Sequence, residues 1–133
     1  MTDKEINNAL AELKDAAAKL NAQSDSINEI IQTVERQIAA TNVGLELWER
    51  LDDEELGWSK LNDRWCFVVR SWLEPEPDDE RREPTCMVHG PLLGEPRTLR
   101  IKALEMLPQF VRRLTSEARE AIKIIERAKA LVS

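Results

Sequence analysis

Apolar or small residues recur at alternating steps of four and three through Ile6, Leu10, Leu13, Ala17, Leu20, Ser24, Ile27, Ile31, Val34, Ile38, Thr41, Leu45 and Trp48. Only Ser24 and Thr41 in that series are polar. These steps keep every member on one side of an α-helix. Sustained over so many heptads, they read as the seam of a coiled coil and constrain everything else in the chain. Thr2-Asp3-Lys4-Glu5 has the spacing of a capping box, which predicts the helix start. No proline interrupts the pattern, and Gly44 is its only glycine. The helix is expected to run to about Leu51. Asn7, Asn8, Asn21, Asn28, Gln32 and Asn42 are expected on its outer face. Val43, Leu45, Leu47, Trp48 and Leu51 are apolar on more than one side, so this end is expected inside the globular body. Asp52 to Glu55 opposes the helix dipole, and Gly57 offers an exit.

Residues 57–90 change period. Trp58 to Leu61 and Arg64 to Leu73 are rich in aromatic and β-branched residues, and Asn62-Asp63 between them suits a tight hairpin turn. Thr85 to His89 can supply a third strand, giving an antiparallel β-meander of two or three strands. Trp65, Phe67 and Val69 share the face expected to meet the helices; Cys66, Val68, Arg70 and Trp72 share the other. Prolines and charges over residues 74–84 predict an exposed, mobile acidic loop. A last helix is expected over 96–132, opened by Pro96 and kinked or broken near Pro108. Its seam is Leu104, Leu107, Val111, Leu114, Ala118, Ala121, Ile125, Ala128 and Val132.

The fold class that follows is mainly α (α+β), one domain spanning 1–133: long helix, small meander, long helix. An antiparallel coiled-coil hairpin pairs large residues with small ones when Leu20 faces Ala128, Ile27 faces Ala121 and Ile31 faces Ala118. Ile6, Leu10 and Leu13 are then left without a partner in the chain. Ile30, Ile122 and Ile124 widen the apolar stripes beyond a two-helix contact. Both features predict a homodimer built as a four-helix bundle, with those six residues at the oligomer or partner interface.

The net charge of −6 is unevenly spread, acidic in the first third and basic in the last. The acidic arm would repel a phosphate backbone, so nucleic acid is disfavoured as a partner. The alternative function, a nucleic-acid-associated regulator, would use Arg112, Arg113, Arg119, Lys123 and Arg127 of the last helix. No long uncharged apolar run predicts a membrane span, and Met1 to Ala9 lacks a hydrophobic signal core. The expected location is cytoplasmic, where Cys66 and Cys86 stay reduced.

No catalytic motif stands out. Cys86-x-x-His89 with Cys66 gives three ligand types but not the two ligand pairs of a zinc site. Neither acidic run has the spacing of a calcium loop, and no phosphate-binding glycine loop is present. No metal, cofactor or enzymatic activity is therefore expected. Trp48, Trp58, Trp65 and Trp72 read as an aromatic core, with Trp72 beside Arg70 the candidate docking face for an unidentified protein partner. The expected function is a non-enzymatic protein–protein interaction or assembly module.

Overall fold

The computed structural model describes residues 2–75, 77–78 and 83–132. Helix α1 spans Asp3–Ala40; the strands are β1 (Leu47–Leu51), β2 (Glu54–Leu61), β3 (Arg64–Leu73) and β4 (Thr85–Pro91). A 3-10 turn, Leu92–Gly94, leads into helix α2, Arg97–Val132. Residues 76 and 79–82 of the expected acidic loop lie outside the described residues.

The capping box forms as the sequence predicts: Thr2 Oγ1 accepts from the Glu5 N–H, and the Glu5 carboxylate accepts from the Thr2 N–H. The other end of α1 differs. The helix stops at Ala40, not Leu51, and residues 47–51 form an edge strand. Thr41 Oγ1 donates to the Ile38 carbonyl at 2.6 Å and accepts from the Val43 N–H at 3.3 Å. Asn42 and Gly44 then turn left-handed, at φ 52° and 60°. The stretch that reads as a helix apolar all round is a period of two, with Leu47 and Leu51 facing the core. The sheet therefore has four strands rather than two or three.

The four strands form an antiparallel meander in the order β1-β2-β3-β4. Asn62 and Asp63, both at positive φ, make the β2–β3 hairpin turn. On the inward face Leu47, Trp58 and Phe67 stand in one row, and Leu56 and Val69 in the next. Those residues pack with Leu92 against Ile31 and Ile38 of α1 and Ala103, Leu107, Phe110 and Leu114 of α2. Phe67 carries the aromatic contacts across the layer, edge-on to Trp58 at 5.2 Å and to Phe110 at 5.5 Å. Burial of this inner layer is the main source of stability.

Both helices lie on that one face and run in the same direction. Arg97 reaches Asn21 at 3.4 Å and Arg100 bonds Asn28, so residue numbers rise together along the pair. On the strand beneath, α2 runs the opposite way to β1: Lys102 pairs with Asp52 and Arg113 with Glu49. The expected antiparallel coiled-coil hairpin is thus overturned, and Asn21 and Asn28 meet the start of α2 rather than lying on an outer face. Antiparallel helices would separate residues whose numbers rise together, so these two bonds could not both form. Helix α2 is continuous through Pro108.

Ile31 is fully buried at the centre of this layer. Ile31→Ala should cost about 2–5 kcal/mol in urea unfolding; a loss under about 1 kcal/mol would contradict its place in the core.

Candidate functional site

The parallel pairing is strongly offset, and the offset exposes apolar surface. Arg97 stands level with Asn21, so residues 3–20 of α1 extend past the beginning of α2. Residues 115–132 of α2 extend past the end of α1 in the other direction. Ile6, Leu10, Leu13 and Leu20 on the first arm are 42–63% exposed; Ile122, Ile124 and Ile125 on the second are 52–59% exposed. Between the arms, on the side of the helices away from the sheet, lies an apolar groove of about 610 Å³. Ile30, Val34, Leu104, Leu107 and Val111 line it. Five of the six interface residues expected from the sequence lie on the arms, and Ile30 lies in the groove.

The outer face of the sheet carries a second feature. The Arg70 guanidinium lies 3.6 Å from the Trp48 ring centre and 5.0 Å from that of Trp72. Glu55 accepts from Arg70 Nε at 2.9 Å and from the Trp72 indole N–H. Burial pushes the Glu55 carboxyl up, but the bonds from Trp72 and Arg70 outweigh it and hold the group below its usual range. The Trp48 indole packs on Gly57, where a Cβ would stand only 2.3–2.5 Å from three ring atoms. The tryptophans divide into two pairs: Trp58 is core with Trp65 stacked on it at 6.2 Å, while Trp48 and Trp72 flank Arg70 outside. Arg70 and Trp72 thus share the face expected for them, with Trp48 added from the strand that the sequence reading missed. Trp72, Leu73, Met87 and Val88 are 45–58% exposed around the β3–β4 end of the sheet.

A third feature is the open edge of β3. Strand β4 pairs only as far as Val68, so residues 64–67 pair with β2 on one side and have no strand on the other. Glu35 of α1 covers this edge and accepts a hydrogen bond from the Phe67 backbone. Burial pushes its carboxyl up to about 7, with Phe67 and Arg64 opposing the shift. Cys66 beside it is pushed up by burial and by Glu35, the reverse of what an activated thiolate needs. Cys66 pairs with Ser59 and Cys86 with Trp72, so the two thiols stand six β3 positions apart, about 20 Å. Both are free cysteines, and the Cys66–Cys86–His89 grouping weighed from the sequence does not assemble.

His89 instead meets two carboxylates. A β-bulge between Val69 and Arg70 makes it the extra residue of β4, between Gly90 opposite Val69 and Val88 opposite Arg70. Its Nδ1 lies 3.6 Å from Glu54 and 3.8 Å from Glu95, while Nε2 lies 2.8 Å from Ser71 Oγ. Glu54 opens β2 and Glu95 follows the 3-10 turn, so the three residues come from separate elements. Burial pushes the Glu95 carboxyl up; His89 opposes this and Glu54 adds to it. Linear spacing could not have joined these residues. The only cue was a histidine just ahead of Gly90-Pro91, where a strand bends.

The basic residues of α2 are largely engaged. Arg113 bonds Glu49 at 2.6 Å, Lys123 bonds Glu120 at 3.3 Å, and Arg127 Nε donates to the Lys123 carbonyl at 3.5 Å. Among the described residues, no helix is long and apolar enough to cross a membrane.

The Glu35 environment sets a pH dependence. A carboxyl raised from 4.5 to about 7 on folding binds its proton more tightly in the native state. The stability this contributes is full below about 4.5 and is lost as pH rises through about 7. Glu35→Gln should therefore be more stable than the parent at pH 8, with the difference shrinking toward pH 5 in urea titrations. Parallel pH profiles for the two proteins would contradict it. No family model, curated protein or solved structure matches the chain.

Proposed function

We propose that this chain is a non-enzymatic interaction module that works as a homodimer, joined by its two arms and the groove between them. The observation that carries this reading is the match between the arms. Each is 18 residues long, residues 3–20 and 115–132, and they leave the body at opposite ends. Each arm repeats its apolar positions at the same alternating steps of four and three.

Two copies related by a two-fold axis across the helices bring the first arm of one beside the second arm of the other, antiparallel. The seams then mesh without a shift: Ile6 with Val132, Leu10 with Ala128, Leu13 with Ile125, Ala17 with Ala121, and Leu20 with Ala118. Small residues face large ones on the flank too, Ala9 with Leu131 and Ala16 with Ile124, which fills space without voids. Asn7 meets Lys129 and Lys14 meets Ile122, so no like charges are forced together. The same operation places the axis between Ile30 and Val34 on α1, and between Leu104 and Leu107 on α2. Each groove thereby packs on its copy. Four helices form the middle, a coiled-coil-like pairing forms between chains rather than within one, and the two sheets lie outermost.

In this arrangement the Trp48–Arg70–Trp72 faces point away from each other. A dimer of this kind presents the same aromatic surface twice, as an adaptor or assembly factor does, and makes the second attachment of a partner with two epitopes an intramolecular step. A cytoplasmic location fits two free cysteines.

Multi-angle light scattering should give twice the 15.3 kDa chain mass at tens of micromolar protein. Leu10→Glu or Ile125→Glu should each give monomers with an unchanged circular dichroism spectrum, because neither residue belongs to the core. A monomeric parent, or charged variants that stay dimeric, would overturn the reading.

A further inference from the structure

We propose that Glu54, His89 and Glu95 form a site for a divalent transition metal of the zinc type. Three elements bring one imidazole nitrogen and two carboxylate oxygens together, all three atoms lying within 4.8 Å of one another. Nitrogen and oxygen ligands at the zinc distance of about 2.0–2.1 Å, arranged tetrahedrally, lie about 3.3 Å apart. The separations from His89 Nδ1, 3.6 and 3.8 Å, exceed this by a few tenths of an ångström, and the two carboxylate oxygens, within 4.8 Å of each other, would close further by rotation of the glutamate side chains.

Two observations beyond the cluster point to a cation. The β-bulge at His89 is the first. Bulges re-aim a side chain, and here one puts the ring between Ser71 and the two carboxylates. With Nε2–H donating to Ser71 Oγ, the Nδ1 lone pair faces the carboxylates, the arrangement in which an outer partner fixes the tautomer of a metal-binding histidine. The second is electrostatic. Glu54 Oε2 is buried and accepts no hydrogen bond. Glu95 has only 11% of its side chain exposed; among the described residues His89 is the basic group paired with its carboxylate, while Arg100 Nε donates to its backbone carbonyl at 3.0 Å. Two carboxylates partly withdrawn from water stand together here, with no lysine or arginine ion pair to either among the described residues. Lys102 does not pair with them, since that ammonium is taken by Asp52.

The ligand set fits a borderline metal that accepts both imidazole and carboxylate, rather than calcium, which takes six to eight oxygens. The site opens into a cleft of about 360 Å³ bordered by Asp52, Asp53, Thr98 and Lys102. A fourth position toward that cleft would be free for water or a partner's donor group. The proposal does not depend on dimer formation, because all three ligands come from one chain.

Isothermal titration of the metal-free full chain with zinc chloride tests it. One zinc per chain at micromolar affinity or better is expected, with at least a tenfold loss in His89→Ala and in Glu95→Gln. The double variant Cys66→Ser, Cys86→Ser should bind like the parent, and zinc should raise the melting temperature of the parent but not of His89→Ala. Failure of the parent to bind, binding that survives His89→Ala, or binding lost with the cysteines would each overturn the proposal. The last two results would place any zinc elsewhere, and the first would leave His89 as a plain ion-pair partner of the two carboxylates.

Discussion

The direction of α2 relative to α1 is the constraint on which the rest of the molecule depends. A meander of four strands returns the chain to the end of the sheet where β1 began, and a helix entered by a tight turn would run back antiparallel to α1. The connector prevents this. Pro91 leaves β4 opposite Val68, whereas Glu95 already stands beside Glu54, whose neighbour across the β1–β2 hairpin is Leu51. In between, the chain has climbed back along the sheet, held by Leu92, which is fully buried. Helix α2 therefore starts beside Asn21 and Asn28, and Arg97 and Arg100 bond to them. Parallel helices joined this way cannot cover each other's full length. The two bare arms and the apolar groove follow from that one reversal.

The sheet divides its work by face. Inward, Phe67 links the strands to α2 through Phe110, and the core closes without a buried charge at its centre. Outward, Trp48, Arg70 and Trp72 stack with their hydrogen-bonding groups answered by Glu46 and Glu55. Arg70 is thus held by a ring on both sides, and each ring by Arg70, so a partner docking there, as proposed, would cost little rotamer entropy. The bulge that places His89 between Ser71 and two carboxylates lies beside the first turns of α2, with Thr98, Leu99 and Lys102 around the same cleft.

Several features were legible in the sequence because each is local. The Thr2 capping box, the Asn62-Asp63 turn, the inward set of Phe67 and Val69, and the start of the last helix after Pro96 all rest on neighbouring residues. Strand β1 was hidden, since Leu45, Leu47, Trp48 and Leu51 satisfy a helical stripe and a strand alternation equally well; the Thr41–Gly44 cap decides between them. Helix direction was hidden for a deeper reason. Steps of four and three read the same from either end, so a seam declares which side of a helix is apolar but neither its partner nor its orientation. The size matching that favoured an antiparallel hairpin within the chain is a property of the seams, and it serves equally well between two chains. The carboxylates around His89 were beyond reach, because a bulge and a long connector bring them together.

The offset parallel pairing can be measured directly. Spin labels at Asp15→Cys and Lys123→Cys, in a chain also carrying Cys66→Ser and Cys86→Ser, would be read by pulsed electron resonance after dilution with unlabelled chain. At 1.5 Å per helical residue, the parallel pairing places the two labels about 50 Å apart within one chain. A separation near 20 Å, as an antiparallel hairpin requires, would contradict the account.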